Sequence, residues 1–323
     1  MSSAPLGTEP LPTPDDHAQY WADALADADR YPLALHVEPV ATALETTDVY
    51  DVSFAGSGGR RVSAWLRVPR VRTAPMPAVV HANGYGAGRL EPVDDLTWSA
   101  AGYVHLVLGT HGQGAGSSRH ILDGILQPER SYYRGVFVDG ARAVAAVRAL
   151  DVVDPTRVAM IGNSQGGAIA LGVGALVSDL VGVFAQAPFL THAPEALRRA
   201  TAGPWTELRR FLDEDPDRAQ AVASTLAYVD GVTSARHATA PGWLSAGLDD
   251  TVCPPETTNA AAAAYRAPVR HRAWPGAGHE AGATADRLLA LAALRRLFER
   301  PAVQPPPPIG VRHEEVRLDG GQQ

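Results

Sequence analysis

Apolar runs of strand length alternate with helix-length stretches along most of this chain, and that alternation leaves few architectures open. The runs at 77–82, 103–108, 158–161, 181–185, 243–246 and 269–274 read as strands. Strands separated by helices predict an α/β fold: a mostly parallel sheet with helices on both faces. Upstream, 49–54 and 60–68 flank Gly56-Ser57-Gly58-Gly59, which predicts an N-terminal antiparallel hairpin. The stretch 134–150 carries Val136, Phe137, Ala141, Val144 and Val147 near helical spacing, and Asp154-Pro155 then leads into the next strand. A last helix is predicted over 284–299, with Leu288, Leu291 and Leu294 on one side. Residues 1–48 read as a helical and extended segment packing on the core, 49–300 as the main domain, and 301–323 as a proline-rich tail. In that tail 305–308 reads as polyproline-like and 319–323 as weakly ordered.

With 323 residues, 46% of them hydrophobic and 20% charged, the chain can bury a large core. Its 28 basic residues face 35 acidic ones, a net charge of −7, so no surplus of positive charge exists to neutralise phosphates. Neither nucleic acid nor an anionic membrane is therefore an expected partner. Every basic residue is Arg and none is Lys, which excludes Schiff-base catalysis, lysine-bound pyridoxal phosphate and the phosphate-loop lysine. The single Cys253 forbids an intramolecular disulfide and a cysteine-clustered metal site. The first fourteen residues hold no apolar run of a signal peptide, and no 18-residue apolar segment follows, so a cytoplasmic location is expected.

Chemistry concentrates in three places. Gly162-Asn163-Ser164-Gln165-Gly166 follows the strand at 158–161 and precedes a helix of small residues, which is G-x-S-x-G where a nucleophile elbow belongs. Taken alone, the pattern also admits a plain glycine-rich turn. After the strand at 243–246 come Asp249 and Asp250, acids at a strand's carboxyl end, where ligands meet open α/β sheets. After 269–274 comes Gly276-Ala277-Gly278-His279-Glu280. Serine, acid and histidine thus occur in the chain order of an α/β-hydrolase triad, with Ser164, Asp250 and His279 as candidates.

An oxyanion hole needs a second backbone donor besides the amide after the nucleophile. Asn83-Gly84-Tyr85-Gly86 follows the strand at 77–82, so the amides of Tyr85 and Gln165 are the candidates. Gly84, Gly86 and Gly88 also admit a dinucleotide loop, but the spacing is wrong and the next strand ends in Leu108-Gly109-Thr110 without a ribose-binding acid. His111-Gly112-Gln113-Gly114-Ala115-Gly116 reads either as a wall of the site or as a tight connection.

With these residues the chain resembles the acetyl xylan esterase and cephalosporin C deacetylase family of bacterial α/β-hydrolases. G-x-S-Q-G-G is met by Gly162 to Gly167, G-L-x-D-x-x-C-P-P by Gly247 to Pro255, and H-E by His279-Glu280. Asp15-Asp16 with Tyr20-Trp21, Tyr132-Tyr133-Arg134, Pro188-Phe189-Leu190 and 225–232 are similar too. The resemblance implies hydrolysis of acetyl or other small acyl esters of sugars or a cephalosporin-like alcohol, without metal or organic cofactor. It also implies a homo-oligomer, often a ring-shaped hexamer, and places Asp250 rather than Asp249 at the acid position. Two departures bear on the substrate: His111 and Asn83 stand where the family carries Arg and His, and Arg is a permanent forked donor while His is a short titratable ring. Asn83, His111, Gln113, Pro188 and Phe189 are the candidate pocket residues.

Three functional readings follow. A serine esterase uses Ser164, His279 and Asp250 to move the acyl group to water. An acyltransferase on the same fold passes it to an acceptor alcohol or amine, and acyl partition between water and added acceptors separates the two. A non-catalytic binding protein on this fold would be marked by loss of a triad member, and none is lost.

Overall fold

Among the described residues, nine strands form one sheet in the order β1-β2-β3-β5-β4-β6-β7-β8-β9. The computed structural model describes residues 5–72, 75–113 and 120–299. Strands β1 (His36–Val40), β2 (Thr47–Ala55) and β3 (Arg61–Pro69) are antiparallel, with Ala55 opposite Arg61 across the predicted glycine turn. β4 (Met76–Ala82), β5 (Val104–Leu108), β6 (Val153–Asn163), β7 (Gly182–Gln186), β8 (Gly242–Gly247) and β9 (Val269–Trp274) are mutually parallel, and β5 pairs antiparallel with β3.

Because side chains alternate along a strand, the register sorts the core into two layers. One face carries Val80, Met160, Val183 and Leu244 against α1 (His17–Asp29), α3 (Tyr132–Arg148), α4 (Gln165–Leu176) and α9 (Pro255–Ala264). The other carries Val79, Ala159, Ile161 and Phe184 against α2 (Thr97–Ala100) and α10 (Ala283–Leu297). Helix α4 is buried from Gln165 to Gly174, as its apolar and glycine-rich sequence requires. Between β7 and β8 the chain adds α5 (Ala193–Arg199), α6 (Pro204–Glu214), α7 (Ala219–Val229) and α8 (Gly231–His237), four helices that the strand pattern does not foresee.

Two expectations change. The segment before residue 49 packs on the core through α1, where Trp21 stacks on Phe137 at 5.7 Å, but it also donates β1 to the sheet. The last helix does not bury Leu288, which is 62% exposed; its inner face is Ala290, Ala293 and Leu294. A turn every 3.6 residues puts 290, 293, 294 and 297 on one side and leaves 288 outside. The tail from residue 301, with its polyproline-like and weakly ordered parts, lies outside the described residues, as do 114–119 of the glycine loop. No helix among the described residues is long and apolar enough to cross a membrane.

Buried histidines make this fold acid-sensitive. Burial, helped by the stacked His237 ring, holds His17 down to about 4, and burial does the same to His81. A histidine whose folded pKa lies below its ordinary 6.5 binds its proton more readily when the chain unfolds. The unfolding free energy therefore falls as pH drops from about 6.5 towards about 4, and these groups take nothing further below that. Urea midpoints are expected to be lower at pH 5 than at pH 7, with a smaller difference in His17→Gln; an equal difference in the variant would assign the acid sensitivity elsewhere.

Candidate active site

Ser164 sits between the end of β6 and the first residue of α4 with φ 54° and ψ −118°, a left-handed conformation that L residues rarely adopt. The flanking glycines explain how so tight a turn closes. A Cβ on Gly162 would lie 1.9 Å from the Gly166 carbonyl oxygen, and one on Gly166 would lie 1.8 Å from that of Ala82. The turn is stitched to the loop after β7, because Ser164 N donates to Gln186 O at 2.8 Å and Phe189 N donates to Ser164 O at 2.9 Å.

The loops after β8 and β9 carry the two partners to this serine. His279 Nε2 lies 2.9 Å from Ser164 Oγ, and His279 Nδ1 lies 2.8 Å from Asp250 Oδ2. Asp250 is buried, and its other oxygen accepts the backbone N–H groups of Val252 and Cys253 at 2.8 and 2.9 Å. A carboxylate facing Nδ1 keeps the ring proton there and leaves the Nε2 lone pair for the serine hydroxyl. Asp249 has an exposed side chain and uses its backbone N–H to bind Ala277 O at 2.9 Å, joining the acid loop to the histidine loop. Gln186 Nε2 donates to the Glu280 carbonyl, which ties the histidine loop to β7 as well.

Over the serine passes the loop after β4, where a Cβ on Gly84 would come within 3.6 Å of Ser164 Cβ. Its shape is held by side chains: Asn83 Nδ2 donates to Gly88 O at 3.0 Å, and Gly86 N donates to Gln113 Oε1 at 2.7 Å. Gln113 Nε2 in turn reaches Tyr132 Oη at 3.1 Å, and that hydroxyl donates to His111 O at 2.8 Å. Burial pushes the Tyr132 phenol up, so it stays a neutral donor. The amide of Tyr85 lies on this loop, and that of Gln165 opens α4, where the helix N-terminus favours negative charge.

The pocket candidates divide. Asn83 and Gln113 brace the loop after β4, and His111 pairs through Nδ1 with buried Asp139 at 2.8 Å. Pro188 and Phe189 are buried and so do not line an open pocket; the Phe189 ring packs 4.9 Å from Trp205 and 6.3 Å from Tyr133, because its backbone is tied to the elbow. Among the described residues, Asp250, Cys253 and His279 bring possible metal-ligand atoms within 4.8 Å of one another. The first and last already hydrogen-bond each other, and burial raises the Cys253 thiol well above its ordinary value, which disfavours the thiolate a metal needs.

Residues 8–292 match the family model for acetyl xylan esterase. The chain belongs to the acetyl xylan esterase family. Solved structures agree: an acetyl xylan esterase from Paenibacillus sp. R4 superposes with a TM-score of 0.83 at 28% identity, over 93% of this chain and 98% of that one. Acetyl xylan esterase 1 from Thermoanaerobacterium sp. JW/SL YS485 gives 0.84 at 25% identity, over 91% and 98%. The fold is accordingly that of an α/β-hydrolase. The acetyl esterase Axe7A of Xylanibacter ruminicola is 24% identical over 265 residues, 76% of this chain. The match spans 58% of the length of that relative.

Proposed function

We propose that this protein is a serine carboxylic-ester hydrolase that removes acetyl or similarly small acyl groups from a hydroxylated small molecule or short sugar. One observation carries the reading: a single imidazole bridges Ser164 Oγ at 2.9 Å and buried Asp250 at 2.8 Å. His279 Nε2 takes the hydroxyl proton as Ser164 Oγ attacks the ester carbonyl, and the oxyanion meets the amides of Gln165 and Tyr85. Collapse of the tetrahedral intermediate passes that proton to the leaving alcohol. Water then attacks the acyl-enzyme by the same route, releasing acetate and restoring the serine. Family membership supports the acetyl group, while the chemistry needs no group beyond these side chains and amides.

The size of the acyl group is the sharpest test of this substrate class. Ser164 is only 9% exposed and the residues behind the elbow are packed, which supports a short acyl pocket. Each methylene without room costs about 1–3 kcal/mol of discrimination. The kcat/KM for 4-nitrophenyl acetate is expected to exceed that for the octanoate by at least about a hundredfold. Equal values would move the assignment to a general carboxylesterase or a thioesterase. Acetylated sugars and acetylated antibiotics tested alongside would name the leaving alcohol.

A further inference from the structure

The register of the sheet builds a second cavity that the ester chemistry does not use. His81, Ile161, Phe184, Trp243 and Arg270 stand opposite one another on successive strands and so share the face beneath α10. The next row towards the strand ends is Asn163, Gln186, Ser245 and Arg272. Above them α10 contributes alanines, Ala283, Ala290 and Ala292, where bulkier side chains would fill the space. The result is a cavity of about 790 Å³. That is within the range of small-molecule sites, roughly 300–1,000 Å³. His279 and Glu280 touch it at one end, but Ser164 is not part of its wall, so an occupant is not placed for attack.

Three features specify what would fit. The floor is aromatic: buried Phe184 and half-buried Trp243 stack face to face at 4.6 Å with planes 10° apart. One end carries Arg270, Arg272 and Arg296, none of which has a carboxylate partner among the described residues. At the other end the wall is the indole of Trp98, only 2% exposed. The remaining acids weaken but do not cancel the positive end: Glu280 accepts Gly278 N at 3.0 Å, Asp286 is occupied by Ser245 Oγ, Trp274 Nε1 and Gly282 N, and Asp95 faces Arg287 at 3.9 Å.

We propose that the cavity beneath α10 is a second binding site, for an anion with an aromatic body that packs against the Phe184–Trp243 pair and whose charge meets Arg270 and Arg272. Titrating the full chain with 8-anilinonaphthalene-1-sulfonate, and with N-phenyl-1-naphthylamine as the same ring system without the charge, tests this. The sulfonate is expected to bind one per chain, and at least about tenfold more tightly than the neutral analogue, the scale of one charge-assisted contact. Arg270→Gln with Arg272→Gln should weaken it about tenfold. Arg60→Gln with Arg61→Gln, at a separate cavity beside Gln113, should leave it unchanged. Ala290→Phe should abolish binding by filling the space, and the arginine pair keeps the test open should that variant not fold. Equal weakening by both arginine pairs, equal affinity for the neutral analogue, or unaltered binding to folded Ala290→Phe would overturn the assignment.

Discussion

Ser164→Ala is expected to lower turnover of an acetyl ester by about a millionfold, the scale on which loss of a triad nucleophile is felt. Among the described residues the hydroxyl in hydrogen-bonding contact with His279 Nε2 is that of Ser164, at 2.9 Å, so no described neighbour takes over the attack. The fold should survive, because the elbow is held by backbone bonds to Gln186 and Phe189 and by the close approach of Gly162 and Gly166, none of which involves the hydroxyl. Loss of one side-chain hydrogen bond is expected to cost about 1 kcal/mol of stability. The check is a pair of measurements on one preparation: hydrolysis of 4-nitrophenyl acetate and the thermal midpoint. More than a few per cent of residual activity in a variant with an unchanged midpoint would show that the reaction does not run through Ser164.

Much of this site can be read from the chain because its constraints are local. A turn in which a Cβ at either glycine would meet a carbonyl oxygen at under 2 Å can only be written with glycines, so G-x-S-x-G announces itself. The acid is legible because it follows the buried, mostly apolar strand β8; the histidine follows β9, whose Arg270, His271 and Arg272 are exposed, and is read chiefly from its place after the acid in the chain order. What is not legible depends on partners distant in sequence. β1 is exposed from His36 to Pro39; it is a strand because β2 lies beside it, not because of any alternation of its own. The adjacency of β4 with β6, while β5 pairs back to β3, is likewise a property of topology rather than of periodicity.

Phe189 departs from its expected place for a related reason. Phe189 lies next to the elbow in space and is similar to the family pattern, yet its ring points into the core between Tyr133 and Trp205. Sequence proximity to a site does not fix side-chain direction. Gln113 and Tyr132 are nineteen positions apart and meet only once α3 is docked, so their joint bracing of Gly86 has no signature in the chain. The two departures from the family pattern become intelligible at the same level: Asn83 reaches Gly88 O with a short amide, and His111 satisfies the buried carboxylate of Asp139, so both positions support the loops of the site.

Of the two adjacent carboxylates, Asp250 is expected to matter and Asp249 to matter little. Asp250 Oδ1 already accepts two backbone N–H groups, from Val252 and Cys253, and Oδ2 faces His279 Nδ1. In Asp250→Asn the one remaining oxygen is drawn to the two N–H groups, which turns the new NH₂ towards the imidazole. Nδ1 must then accept, the ring proton moves to Nε2, and the lone pair that should receive the serine proton is gone. An amide in this position cost about ten-thousandfold in the well-studied triad, and a loss of similar size is expected here. Asp249→Asn keeps the backbone N–H that binds Ala277 O and changes only an exposed side chain, so its effect should stay under about tenfold, or about 1.4 kcal/mol of barrier. Assaying both variants on the same acetyl ester decides between the carboxylates, and a greater loss from Asp249→Asn would mean that the histidine is oriented by the other acid.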